Sequence, residues 1–207
     1  MGKRMTNSNP LALAITGASG ASYAVRLLQE LIRCGERVDV MISAPGQIVL
    51  GMETSLNLPG RSAEIQRALT AHCGAAEGQL RVFGLQEWTA PLASGSSAPR
   101  AMVVCPCTTG TLASIAAGTS SNLIERAADV VIKEGRKLVL VPRETPFSVI
   151  HLENMLRLAR LGVVILPPNP GFYQGPSSID DLVAFVVARI LDQLGVDNDL
   201  APRWGGG

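Results

Sequence analysis

The chain has 207 residues, 47% of them hydrophobic and 17% charged, and 18 basic and 17 acidic side chains leave a formal net charge of +1. That length suits one domain with one continuous core, and the balanced charge gives no electrostatic footprint for nucleic acid. No apolar run approaches the roughly 20 residues of a membrane span, and so low a charge content implies either a very well covered core or, the favoured reading, surface buried between subunits of a homo-oligomer.

Residues 1–10 read as a disordered tail on a cytoplasmic protein. The apolar stretch after them is too short for a signal peptide, and the loose acylation pattern of Gly2 and Thr6 is read as chance. Residues 11–15 predict a strand, 20–34 a helix and 37–43 a strand. A polar helix follows at 61–72, a short strand at 81–83, a buried strand at 101–105 and a helix from about 110. Then come helix 122–134, strand 137–142, helix 150–161, strand 163–167 and a long helix at 178–194. Residues 94–99 (SGSSAP) read as a loop. The domain is expected over 11–195, with 196–207 a C-terminal tail reaching a site or a neighbouring subunit. Short apolar strands alternating with helices predict an α/β class, a single-domain Rossmann-like (flavodoxin-like) fold whose parallel sheet carries helices on both faces.

In such sheets ligands lie beyond the carboxyl ends of the strands. The segments to inspect are therefore TGASG at 16–20, Ser43, CPCTTGT at 105–111, PRETP at 142–146 and PPNPGFYQG at 167–175. Gly17 and Gly20 allow a sharp turn and a close backbone approach. The helix starting near Gly20 offers free N–H groups and the positive end of its dipole, and Ser19 adds a hydroxyl. The plain alternative is a tight strand–helix turn with no ligand. The dinucleotide fingerprint fits poorly: the spacing is G-x-x-G, Tyr23 stands where a third glycine could be, and Ser43 occupies the place of the ribose-binding acid. Asp39 lies inside the strand, too early to reach. A mononucleotide fits better. In the second loop Thr108, Thr109 and Thr111 crowd hydroxyl and N–H groups, beyond what a threonine helix cap needs. Cys105 and Cys107 read as small buried residues beside it. With Cys34 and Cys73 and the isolated His72 and His151, they do not make a metal site.

Charged groups stand in unexpected places. Arg143 and Glu144 follow an apolar strand and face the crevice, unless they form a surface salt bridge. Arg126 and Lys133, seven apart, share a helix face, although Asp129 could pair with Arg126. Arg189 is the one charge between Asp181 and Asp192 in an otherwise apolar helix. Its burial would demand an anionic partner, either phosphate or a carboxylate across an interface. Tyr173, Trp88 and Trp204 sit in loop-like sequence, where aromatic faces can stabilise a cation or simply pack.

These features resemble one family, the UbiX-type flavin prenyltransferases. TGASGA (16–21), ET (53–54), SGS (94–96), PCTTGTL (106–112), ERAADVVIKE (125–134), LVPRETPFS (140–148), PGFY (170–173) and PRW (202–204) match in order across nearly the whole chain. The resemblance implies transfer of a dimethylallyl group from dimethylallyl phosphate to N5 and C6 of reduced FMN, without a metal. The product, prenylated FMN, would go to a partner decarboxylase of the ubiquinone-biosynthesis type. It implies FMN binding by Gly17, Ala18, Ser19, Ser43, Thr108, Thr109, Gly110, Thr111 and Arg143. Arg126, Lys133, Arg143, Tyr173, Arg189, Trp88 and Trp204 would surround the prenyl phosphate. Ser19, Glu53, Lys133 and Glu144 form the implied catalytic set. A large homo-oligomer, a dodecamer, with sites at subunit interfaces is also implied. Two rivals remain. FMN-dependent cysteine-type decarboxylases share the second loop, but their asparagine is Gly110 here. A non-catalytic flavin-binding protein would leave Glu144, Lys133 and Arg189 unexplained.

Overall fold

The computed structural model describes residues 9–173 and 175–201. Six strands form one parallel sheet: β1 (Leu11–Ile15), β2 (Val38–Ile42), β3 (Leu80–Phe83), β4 (Ala101–Cys107), β5 (Lys137–Pro142) and β6 (Val164–Ile165). Their order is β3-β2-β1-β4-β5-β6. Chain direction across the sheet reverses between β1 and β4, and the loops at their carboxyl ends diverge to leave a crevice there.

The helices are α1 (Ala21–Arg33), α2 (Ala44–Glu53), α3 (Ser62–Cys73), α4 (Thr109–Ala117), α5 (Leu123–Lys133), α6 (Val149–Arg160) and α7 (Ile179–Leu194). None among the described residues is long and apolar enough to cross a membrane. Because side chains alternate across a strand, Leu11, Leu13 and Ile15 of β1 face one way and pack with Leu27, Leu31, Val187 and Leu191 of α1 and α7. Ala12 and Ala14 face the other way and pack with Leu112, Ala127, Val131 and Leu158 of α4, α5 and α6. Both faces are covered, so the strands read as continuous apolar runs rather than alternating ones.

The α/β expectation and the element order hold, with local differences. Strand β4 runs two residues beyond its predicted end, and its pairing with β5 shifts register between Val104 and Cys107. Strand β6 is only two residues long. Helix α2 was not predicted: its two glycines and its proline hide a helix that begins with Pro45 in the first turn and Ser43 as cap. The segment 94–99 contains a 3-10 turn at Gly95–Ser97. Residues 1–8, most of the predicted N-terminal tail, and 202–207, which include Trp204, lie outside the described residues. The start of the predicted C-terminal tail packs back on α1: Val196 is buried, and Asp199 meets Arg33 at 3.4 Å.

Asp39 is out of reach of a ligand, as its place in β2 suggested. Its carboxylate is buried and takes a bidentate bond from Arg81 of β3, Nε and Nη2 each at 2.8 Å. Burial raises its pKa and Arg81 works against that rise. A folded-state pKa above the unfolded one makes ionisation a cost that is absent at low pH and grows as pH rises. Arg81→Met should therefore destabilise the fold little near pH 4 and by about 2–3 kcal/mol near pH 7. Urea unfolding at the two pH values checks the difference, and Asp39→Asn in the same chain should remove the pH dependence.

Candidate functional site

Between β1 and α1 the chain turns through Gly17, Ala18, Ser19 and Gly20. Gly20 has φ 118°, in the left-handed region. Gly17 is required for a reason internal to the chain: a Cβ there would lie 2.3 Å from Cβ of Pro45, at the start of α2. The N-terminus of α1, the predicted phosphate seat, is already taken. Glu53, the last residue of α2, places Oε2 at 2.8 Å from both the Gly20 and the Ala21 N–H groups. Partial burial pushes the Glu53 pKa up. The Ser19 hydroxyl, those two N–H groups and the positive charge of Arg143 outweigh burial and hold it below the usual carboxylate range. The glycine turn is thus an anion site with its own anion built in.

The second loop remains open to a ligand. Thr16 ties it to the first: its hydroxyl donates to the Pro106 carbonyl at 2.8 Å and accepts from the Thr108 N–H at 2.9 Å. Thr108 caps α4, accepting from the Thr111 N–H at 3.1 Å and donating to the Thr111 hydroxyl at 2.9 Å. The helix-cap alternative therefore accounts for Thr108. It does not account for the next two residues. The N–H groups of Thr109 and Gly110 precede the first intrahelical bond and find no partner among the described residues. Above Gly110 the space is open, since a Cβ there would meet only Thr108 Oγ1 at 3.9 Å. The Thr111 hydroxyl keeps its proton to donate. Ser43 accepts from Gly46 N–H at 3.0 Å as the cap of α2, and its own O–H is likewise left to donate. Two free N–H groups at a helix start, with hydroxyl donors nearby, suit the phosphate of FMN.

Arg143 and Glu144 complete the crevice from β5. The Arg143 N–H donates to Cys107 O at 3.3 Å, and its Nε donates to Ser19 O at 3.2 Å, bridging β5, β4 and the glycine turn. Glu144 is half-buried and accepts from the Thr145 N–H at 3.1 Å. Cys105 and Cys107 are fully buried behind the loop. Burial pushes both thiols up, Cys107 to about 12 and Cys105 further, so neither offers a thiolate at neutral pH.

One chain does not gather the remaining predicted residues at this crevice. Lys133 ends α5, just before β5 begins, at the opposite edge of the sheet; it pairs with Glu134 beside Gly95. Arg126 lies on α5, donating to Ala93 O at 3.1 Å and to Asp129 at 2.8 Å. The expected burial of Arg189 is corrected: its side chain is 55% exposed on the outer side of α7 and pairs with Asp192 one turn along at 2.8 Å. The apolar stripe of α7 faces α1 and the sheet, which leaves its one cation outside. Tyr173 stands on the loop after β6, 60% exposed, edge-on to Phe185 of α7 at 6.0 Å. Trp88 follows edge strand β3 and is half-exposed. Sequence reasoning missed the clamping role of Glu53 and the joint at Thr16. Thr16 had a visible signal, a hydroxyl ending an apolar strand; Glu53 was reached only through the ET motif of the family resemblance, because its helix was unseen.

The chain matches the flavoprotein family over residues 2–191. It is 58% identical to the flavin prenyltransferase UbiX of Pseudomonas aeruginosa over 201 residues, 97% of this chain and 96% of that protein. Among solved structures, AnUbiX (PadA1), in complex with FMN and dimethylallyl pyrophosphate, superposes with a TM-score of 0.84 at 37% identity, covering 96% of this chain and 98% of the other. A dodecameric FMN-dependent UbiX-like decarboxylase from Escherichia coli O157:H7 does so with a TM-score of 0.84 at 42% identity, covering 95% and 100%. A chain with this strand order, this pair of loops and this end-to-end identity belongs to the flavoprotein family, in its UbiX-type flavin prenyltransferase branch.

Proposed function

We propose that this chain joins the dimethylallyl group of dimethylallyl phosphate to N5 and C6 of reduced FMN, making the prenylated FMN of a partner decarboxylase. The observation that carries the reading is the crevice itself. An open anion seat at the start of α4 stands beside a glycine turn that carries its own carboxylate, with Arg143 and Glu144 alongside. Reduced FMN would supply two electron-rich positions: N5 takes C1 of the five-carbon unit in place of the phosphate and gives up its proton, and C6 takes C3 as the C2=C3 double bond gains a proton at C2 and C6 loses its own. Thr108, Thr109, Gly110 and Thr111 hold its phosphate, and Gly17, Ala18, Ser19, Ser43 and Arg143 line its place. Lys133, Arg126, Arg143, Tyr173 and Arg189 grip the prenyl phosphate. As the C1–O bond breaks, its electron pair stays with the phosphate, where fixed cations stabilise the growing negative charge. The positive charge left on the allyl group meets the faces of Trp88 and Trp204. Glu144 delivers a proton to the leaving phosphate. Glu53 is held ionised, so it is suited to accept a proton, with Ser19 as the hydroxyl between, and not to donate one.

The site is completed by neighbouring subunits. Lys133 and Arg189 face solvent toward the amino edge of the sheet, away from the crevice. Apolar groups on α2 and α6 (Ile48, Met52, Val149, Leu152 and Leu156) are more than half exposed. A homo-oligomer, in our reading a dodecamer, covers those groups and brings one subunit's cations to another's crevice. We place it in the cytoplasm, where Cys34, Cys73, Cys105 and Cys107 stay as free thiols. The cysteine-type decarboxylase reading lacks its amide, since Gly110 offers no side chain, and a flavin carrier has no use for a second set of cations.

Incubated anaerobically with reduced FMN and dimethylallyl phosphate, the protein should yield flavin heavier by one five-carbon unit in mass spectrometry; flavin of unchanged mass rejects the transferase reading. Glu53→Gln keeps an acceptor for the Gly20 and Ala21 N–H groups but loses the base. It should lower kcat about a hundredfold with KM for flavin within about twofold, as single-turnover and steady-state kinetics will show. Because its pKa is depressed, this contribution is present above the ordinary carboxylate range and is lost only as pH falls below it. Co-assembly of Glu144→Gln with Arg189→Ala chains, each inactive alone, should restore about a quarter of wild-type activity if one site draws on two subunits. No recovery in the mixed oligomer would place both residues in one chain's site.

A further inference from the structure

The loop that carries Arg143 and Glu144 ends on an unusual helix cap. Ser148 caps α6, accepting from the His151 N–H at 3.3 Å, and His151 Nδ1 accepts in return from the Ser148 N–H at 3.2 Å. This reciprocal pair normally uses Glu or Gln at the third helical position, side chains that accept a hydrogen bond across the neutral pH range. Imidazole accepts at Nδ1 only while that nitrogen is unprotonated, with the hydrogen on Nε2. The ring stands edge-on to Phe147, centroids 6.4 Å apart at 87°, and Phe147 packs against the core under α4 and α5.

Four residues, 144–147, therefore hang between two anchors. One is the Arg143 bridge to Cys107 and Ser19; the other is the Ser148–His151 cap. Glu144 lies between them. We propose that His151 is a positioning residue for the reaction, its unprotonated Nδ1 holding the back of this loop so that Glu144 stays in the crevice. The inference rests on the role given to Glu144 above. Protonation removes the acceptor and puts a cation at the positive end of the α6 dipole, so the cap and the loop order are present at high pH and lost as pH falls. The elements packed against α6, helix α4 and strand β6, carry no titratable side chain. The charged groups nearest along the chain are Arg143 and Glu144 on the loop and Glu153 and Arg157 on α6 itself.

Two variants and one readout independent of turnover test this. His151→Gln keeps an acceptor that does not titrate; His151→Leu removes it. His151→Leu should lower kcat about tenfold at about pH 8 with both KM values within about twofold, and should speed amide exchange over residues 144–152. His151→Gln should restore kcat and slow exchange. It should also abolish the wild-type loss of activity and of exchange protection as the pH is lowered. Wild-type kcat and exchange in His151→Leu overturn the proposal, as does a Gln variant as impaired as the Leu variant or one that keeps the wild-type acid limb. If His151→Leu does not fold, the pH dependence of the Gln variant decides. Exchange is read without catalysis, so failure of the prenyl-transfer reading leaves this result distinct.

Discussion

Glu53 closes the start of α1 with a carboxylate that receives two backbone N–H groups. A helix N-terminus favours negative charge, and here the chain provides it from the end of α2. The arrangement needs the close contact of Gly17 with Pro45, because that contact sets α2 against the turn. It fixes the backbone of Ser19, whose carbonyl receives Arg143. It also leaves the start of α4 as the open helix end at the crevice, where the N–H groups of Thr109 and Gly110 find no partner among the described residues. One internal pairing of a carboxylate with a helix end thus leaves two helix starts in different states, that of α1 closed and that of α4 open.

The joints between the strand-end loops explain why the crevice is preformed. Thr16 links the first loop to the second, and Arg143 links the third to both. Hydroxyls and backbone groups do this work while the two thiols behind them stay protonated and inert. A site made of N–H groups, hydroxyls and fixed charges suits a reaction whose difficulty is charge separation, since such groups need little rearrangement when the bond breaks.

The same parallel topology scatters the other cations. In a doubly wound sheet each helix returns from the carboxyl edge to the amino edge. Residues late in α5 and α7, such as Lys133 and Arg189, therefore end far from the loops that start those helices. Within one chain these cations stand away from the crevice and pair with Glu134 and Asp192 instead. Low charge content and apolar side chains left exposed on α2 and α6 accord with the proposed assembly.

The order of strands and helices and the loops that matter follow from the amino-acid sequence alone. A parallel sheet covered on both faces demands apolar strand runs, and ligands gather where those runs end. The motifs that carry the family resemblance lie in those same loops. Only the tertiary structure decided how the site is divided. Helix α2 was hidden by two glycines and a proline, so Glu53 had no visible place, and the glycine turn looked empty when it was filled. Arg189 looked buried because its helix is apolar, but helix orientation is set by packing against α1 and not by composition. Spacing along a chain determines which groups share an element; which groups share a crevice depends on how elements from distant parts of the chain, and from other subunits, come to lie side by side.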